Sequence, residues 1–221
     1  MGELFNIEKV LGFCDKVWYF FTVNLLFVFS NIPVLFFFLF VGAGRIPEYF
    51  PLFLLCLVPF APALSAVMYA MNRLIHRTER SAFKDYRKGY CQDFIQKLKL
   101  GAGQALAVFI CWTNVKFFAV QFRFLPLAVV FALLFAVTVA VTPNLYMLAS
   151  RYEMKNIQIV KTAVTLFIAK PVFTLGNLVA LAALLAAFEI SAGTTVLFMG
   201  SVYGFLVMFM NQGVMHSLEN R

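Results

Sequence analysis

Six stretches without a single Asp, Glu, Lys or Arg limit what this sequence can fold into more than any motif does. They run over Val17–Gly44 (28 residues), Tyr49–Asn72 (24), Leu100–Val115 (16), Phe124–Ser150 (27), Pro171–Phe188 (18) and Ile190–Leu218 (29). An α-helix rises about 1.5 Å per residue, so about 20 apolar residues cross a hydrocarbon core about 30 Å thick. The stretches are apolar on every face, whereas strands of a membrane barrel would carry polar side chains at alternate positions. With 62% apolar and 13% charged residues, the chain also lies outside the usual composition of water-soluble domains. It therefore reads as an all-α, polytopic integral membrane protein with six transmembrane helices, expected over residues 17–41, 50–72, 100–117, 124–149, 171–189 and 193–215. No Ser/Gly-rich linker or charge block divides it, so residues 1–221 form a single membrane domain. The first stretch is too long for the core of a cleavable signal.

The cationic residues set the orientation. The amino-terminal segment, the second loop, the fourth loop and the tail together hold fifteen Lys and Arg, against three in the remaining loops. This bias places both termini in the cytoplasm. The net charge of +8 then forms a basic rim facing anionic lipid and needs no nucleic-acid partner. The third stretch reaches across only if Lys97, Lys99 and Lys116 snorkel to the interfaces. The fifth ends at Glu189, and the charge parity alone would also allow four helices.

Two cytoplasmic connections have helical patterning, over residues 79–98 and 153–169. In the first, Phe83, Tyr86, Tyr90, Phe94 and Leu98 recur at steps of three and four, which puts them on one stripe beside Arg87. In the second, Met154, Ile157, Val164 and Ile168 make the apolar face ahead of Pro171, a residue suited to a helix's first turn. Inside the spans, Gly200 and Gly204 form a small-xxx-small pair for helix packing, within the chain or at a dimer face. Pro59, Pro62 and Pro143 each remove a backbone hydrogen bond and mark helix kinks, as fixed bends or as hinges.

No catalytic constellation stands out. There is no phosphate-binding loop, nucleophile elbow or His-Glu-x-x-His run, and His76 and His216 have no ligand four residues on. Cys14, Cys56, Cys91 and Cys111 share no metal-site or redox spacing and read as small apolar fillers. The expectation is a non-enzymatic protein with no cofactor and no metal site. The span interiors hold no acid to couple an ion, only uncharged polar groups such as Asn24, Asn31, Gln104, Asn114, Thr138, Thr142, Asn144, Asn177 and Asn211. These serve either interhelical hydrogen bonds or a sugar-binding path.

The segment FAPALSAVMYAMNRLIHRTERSAFKDYRKGYCQDFIQKLKLG resembles the hallmark of the YesL-like family, a domain of unknown function. Pro62-Ala63-Leu64 is similar to its Pro-Ala-Thr step, with Leu64 in place of Thr, and Phe83, Tyr86, Tyr90 and Phe94 fill its aromatic helix. Asn24-Leu25-Leu26-Phe27 resembles its Asn-Leu-Leu-Trp, and RYEMKNIQIVKTAVTLFIAKP its second connection. The resemblance implies a small protein of the bacterial cytoplasmic (inner) membrane, encoded beside importers of complex carbohydrates, and assigns no functional residue. From it follows the expected function, a non-enzymatic accessory or assembly subunit of a bacterial carbohydrate ABC importer. Phe83, Tyr86, Arg87, Tyr90 and Phe94 would dock the importer's membrane subunits, the other reading being that the stripe lies on the bilayer or covers the chain's own helix ends. The chain lacks the Glu-Ala-Ala…Gly coupling signature of a pore-forming importer subunit. The alternative is a self-contained uniporter or channel for a small neutral solute such as an oligosaccharide, with the amides as its sugar ligands.

Overall fold

The structure, a computed structural model, describes residues 7–76 and 81–213. Residues 79–80 of the first expected cytoplasmic helix, the end of the sixth expected span and His216 lie outside the described residues. Every regular element among the described residues is helical. In chain order they are α1 (Ile7–Ser30), α2 (Ile32–Phe40), α3 (Phe50–Cys56), α4 (Phe60–His76), α5 (Ala82–Cys91), α6 (Phe94–Lys116), α7 (Leu125–Arg151), α8 (Asn156–Ala169), α9 (Pro171–Ile190), α10 (Ala192–Val196) and α11 (Met199–Met210). A short 3₁₀ turn covers Ala43–Arg45, and α6 runs on through a π-helical segment, Phe117–Gln121.

Five segments are long and apolar enough to cross a membrane: Gly12–Ser30, Phe50–His76, Phe94–Gln121, Leu125–Arg151 and Pro171–Ile190. They carry large apolar side chains on the outer surface, among them Val120, 71% exposed, Leu125, 70% exposed, and Val172, 75% exposed. So wide an apolar surface suits lipid rather than water, consistent with a multi-pass membrane protein.

Three of the six uncharged stretches are interrupted. The first breaks at Asn31, where Pro33 in the opening turn of α2 lacks the N–H that would continue the helix. The second breaks at Leu57–Pro59, so Pro59 precedes α4, while Pro62 sits in its first turn and is buried. The sixth breaks at Leu197–Phe198 and leaves α10 and α11, neither long enough alone to cross. Pro143, by contrast, lies inside a continuous α7.

Helix α4 is the hub. Ala61, Ala63, Ala66, Val67, Ala70 and Met71 are buried along it, and small side chains let α1, α5, α6, α7 and α11 close in around one helix. Gly101 on α6 meets it so closely that an added Cβ would lie 2.5 Å from the Ala61 Cβ. The sequence pattern suggests only a span end at Gly101. Gly204 of α11 faces α4 at the same closeness, 2.6 Å from Val67 Cγ1, and Gly200 faces Phe27 of α1 at 2.7 Å. This small-residue pair is therefore covered by the chain's own helices.

The connections depart from the sequence pattern in two ways. The expected helix over 79–98 is two elements: α5 ends at Cys91, Asp93 takes a left-handed φ of +52°, and Phe94 begins α6. The third span is accordingly longer than 100–117, starting six residues earlier and ending in the π-helical turn. The second connection forms α8 over 156–169, but its buried side chains are Ile159, Ala163 and Leu166. Of the expected apolar face, Ile157, Val164 and Ile168 point outward, while Met154, ahead of the helix, is half-buried against the core. Packing against α7 selects which of two apolar stripes turns inward, and periodicity alone does not rank them.

Candidate functional site

The basic connection after α4 carries the densest charge in the described chain, and its geometry is set by what lies behind it. On α5, Asp85, Tyr86 and Gly89 turn inward. Arg73 Nη1 pairs with Asp85 Oδ1 at 2.8 Å, joining α4 to α5. The Tyr19 hydroxyl from α1 lies 3.0 Å from both Asp85 Oδ2 and the Ala70 carbonyl and donates to either. Tyr86 donates to Ser30 Oγ at 2.8 Å, and Ser30 in turn donates to the Leu26 carbonyl. Tyr19 and Ser30 are three turns apart, about 16 Å along α1 at 1.5 Å per residue, so α5 is held to α1 at two separate levels. Gly89 lets α5 touch α4, since a Cβ there would lie 2.8 Å from Tyr69 Cβ.

Lys97 closes the end of α5. It is 2% exposed, and its ammonium donates to the carbonyls of Gly89 at 2.8 Å and Gln92 at 2.7 Å. Those carbonyls have no partner inside the helix, and a cation there also meets the negative end of the helix dipole. The expected snorkelling of Lys97 is thus replaced by an internal cap, which fixes the break between α5 and α6. Burial pushes the Tyr86 and Tyr90 hydroxyls above their ordinary range, so both are neutral groups.

The five expected docking residues, Phe83, Tyr86, Arg87, Tyr90 and Phe94, separate. Phe83 and Arg87 are exposed, together with Lys84 and Lys88. Tyr86 is 4% exposed and packs into the bundle. Tyr90 and Phe94 are half-buried and continue a ring ladder from Tyr86, with centroids 6.0 Å apart for Tyr86–Tyr90 and 5.3 Å for Tyr90–Phe94. Phe94 belongs to α6. Sequence reasoning missed Tyr19, Asp85 and Lys97 as anchoring groups. The available signal was the pairing of Asp85 with Gly89 at i and i+4, beside Tyr86 and Tyr90, which marks a face two residues wide.

The intramembrane amides are engaged with protein. Asn177 donates to Asn144 at 3.2 Å, Asn211 donates to Asn177 at 2.9 Å, and Asn144 donates to Thr174 at 3.0 Å, a buried chain that ties α7, α9 and the end of α11. Asn24 on α1 donates to the Val196 carbonyl at 2.7 Å and accepts from the Gly200 and Ser201 amides at 2.9 and 3.4 Å. It thereby serves the broken backbone between α10 and α11. Gln104 donates to Thr142 at 2.6 Å and accepts from Tyr146. Asn114 bonds the Ile110 carbonyl of its own helix and is half-buried.

Two apolar cavities adjoin these networks. One, of about 390 Å³, is bordered by Asn31, Leu57 and Val196 and so lies where the three interrupted stretches break. The other, of about 650 Å³, runs between α6, α7 and α8. The described cysteines are free thiols, with Cys14 and Cys91 exposed. His76 bonds only the Asn72 carbonyl, 3.0 Å away, in the hydrogen bonds described for it.

No curated protein and no solved structure matches this chain. Residues 18–115, which contain α5 and most of its mount on α1, α4 and α6, match the model of a family described as protein of unknown function, DUF624.

Proposed function

We propose that the chain is a non-enzymatic accessory or assembly subunit of a carbohydrate ABC importer, acting as a docking platform in the bacterial cytoplasmic membrane. In this reading the chain crosses six times, with α10 and α11 together as the sixth crossing and both termini in the cytoplasm. The observation that carries it is the mounting of α5. A short helix rich in cations is pinned to α1, α4 and α6 by Tyr19, Arg73, Tyr86 and Lys97, and turns Phe83 and Arg87 outward. A surface held rigidly before binding loses less entropy when a partner arrives. An exposed aromatic beside Arg is the composition that interface centres favour. The resemblance to the YesL-like family supplies the importer as partner.

The engagement of Asn24, Gln104, Asn144, Asn177 and Asn211 in helix-to-helix bonds favours this reading over a sugar channel. A hydroxyl-rich solute needs polar groups free to receive it, and the two cavities beside these amides are walled mainly by apolar side chains.

The test is purification from native membranes at native expression. A carbohydrate importer's membrane subunit is expected to co-elute with the wild-type chain and to be lost from Phe83→Asp combined with Arg87→Glu. Both changes are on the exposed face, so the variant should still fold. Elution of the wild type without such a subunit, or retention of the subunit by the variant, overturns the proposal. Sugar flux into vesicles containing this chain alone would favour the uniporter instead.

A further inference from the structure

We propose that the groove between α6, α7 and α8 is a site for one anionic phospholipid, with its acyl chain against the helices and its phosphate between Lys99 and Lys161. The inference does not depend on the importer partner.

The volume, about 650 Å³, falls within the range of about 300–1,000 Å³ typical of ligand sites. Its walls are Leu100 and Ala107 of α6, Val137 and Val141 of α7, and Val160 and Val164 of α8. Three of the four uncharged polar side chains in the wall already have partners, while Asn156, the first residue of α8, donates from Nδ2 to the Gln96 carbonyl at 3.5 Å and keeps a buried Oδ1 with none. Gln104 is bonded to Thr142 and Tyr146, Thr142 donates to the Thr138 carbonyl, and Thr138 donates to the Leu134 carbonyl. A wall that is apolar or satisfied except for one acceptor at the start of α8 asks mainly for hydrocarbon, not for a set of sugar hydroxyls.

The charge at the groove identifies the head group. Lys99 and Lys161 are exposed and line it from opposite helices, and no carboxylate lines it. Lysine is a compact point charge suited to phosphate, and basic pockets between membrane helices recognise anionic head groups. A zwitterionic lipid would gain less, because its own ammonium opposes the two lysines.

Gly103 supplies a probe that leaves the fold alone. It lines the groove, and a Cβ added there meets nothing within 4 Å. Gly103→Leu therefore fills the groove with side chain while removing a flexible residue from the helix interior.

The experiment reconstitutes the full chain in bilayer discs of equal phosphatidylcholine and phosphatidylglycerol, extracts it gently, and counts retained lipids by native mass spectrometry. The wild type is expected to retain phosphatidylglycerol over phosphatidylcholine by about tenfold or more, as two lysines near a phosphate imply. Lys99→Gln with Lys161→Gln should bring that ratio to one, and Gly103→Leu should abolish retention of both lipids. Lys84→Gln with Lys88→Gln, on α5, should leave the ratio as in wild type. Equal retention of the two lipids by the wild type overturns the proposal, as does unchanged retention in Gly103→Leu.

Discussion

Arg73 and Asp85 face each other at 2.8 Å across the α4–α5 contact, and Tyr19 reaches the second oxygen of the same carboxylate. Three helices thus meet on one acid. The Arg73 side chain is 23% exposed and that of Asp85 8%, so water screens the cation only in part. Replacing Asp85 by Ala leaves a half-buried guanidinium and a tyrosine hydroxyl with one acceptor fewer, a loss of about 1–3 kcal/mol. Thermal unfolding in detergent, followed by tryptophan fluorescence, should show a lowered midpoint. An Asp85→Ala midpoint equal to that of wild type would remove the carboxylate from its role as anchor.

The chain of amides through Asn144, Asn177 and Asn211 predicts a contrast between two substitutions. Asn177→Val leaves both neighbours short of a partner and should cost about 1 kcal/mol, near the average for hydrogen bonds between membrane helices. Asn114→Val, where the half-buried amide bonds a carbonyl of its own helix and ties no second helix, should cost less, within about 0.5 kcal/mol of wild type. Equal effects from the two would contradict an interhelical role for Asn177.

Close approach at Gly204 predicts a steric effect. Valine there forces branched atoms toward Val67, whose Cγ1 already lies 2.6 Å from the position of an added Cβ. Overpacking of this kind costs about 1–3 kcal/mol. Gly44→Ala, at a site with nothing within 4 Å of the new methyl, is the matched control and should leave the midpoint unchanged. A Gly204→Val protein as stable as the control would mean that α4 and α11 are not so close.

Orientation can be read by thiol labelling of intact cells. Arg73, Asp85, Gln96 and Met154 meet at one end of the bundle, while Lys116 donates to the Pro47 carbonyl at the other. On a background without the four natural cysteines, Glu48→Cys should react with a membrane-impermeant maleimide, and Lys88→Cys should react only after permeabilisation. The reverse pattern would invert the proposed topology.

The uncharged stretches made the helices legible, because hydrocarbon forces buried backbone into hydrogen-bonded helices whatever else the sequence says. The breaks were less so. Pro59 was visible as a perturbation, but the interruption at Asn31 needs Pro33 together with an amide that bonds the Phe27 carbonyl. The break between α10 and α11 has no breaker residue, and the asparagine that serves it lies on α1. Asp85 and Lys97 were hidden for a related reason. A charged residue on a cytoplasmic helix ordinarily faces water, and only the tertiary contact with Arg73 or with the last carbonyls of α5 turns it inward. The aromatic stripe, expected along one helix, mixed separate roles, since Tyr86 belongs to the mount, Phe83 to the surface and Phe94 to the next helix.

The bonds of Asn24 carry a consequence for biosynthesis. Its partners Val196, Gly200 and Ser201 are 172 to 177 positions downstream. At about 5–20 residues per second, the ribosome delivers them roughly 10–35 seconds after Asn24 itself. During that interval Asn24 has none of these three partners, so the contact that joins the first helix to the break between α10 and α11 forms only after most of the chain has been made.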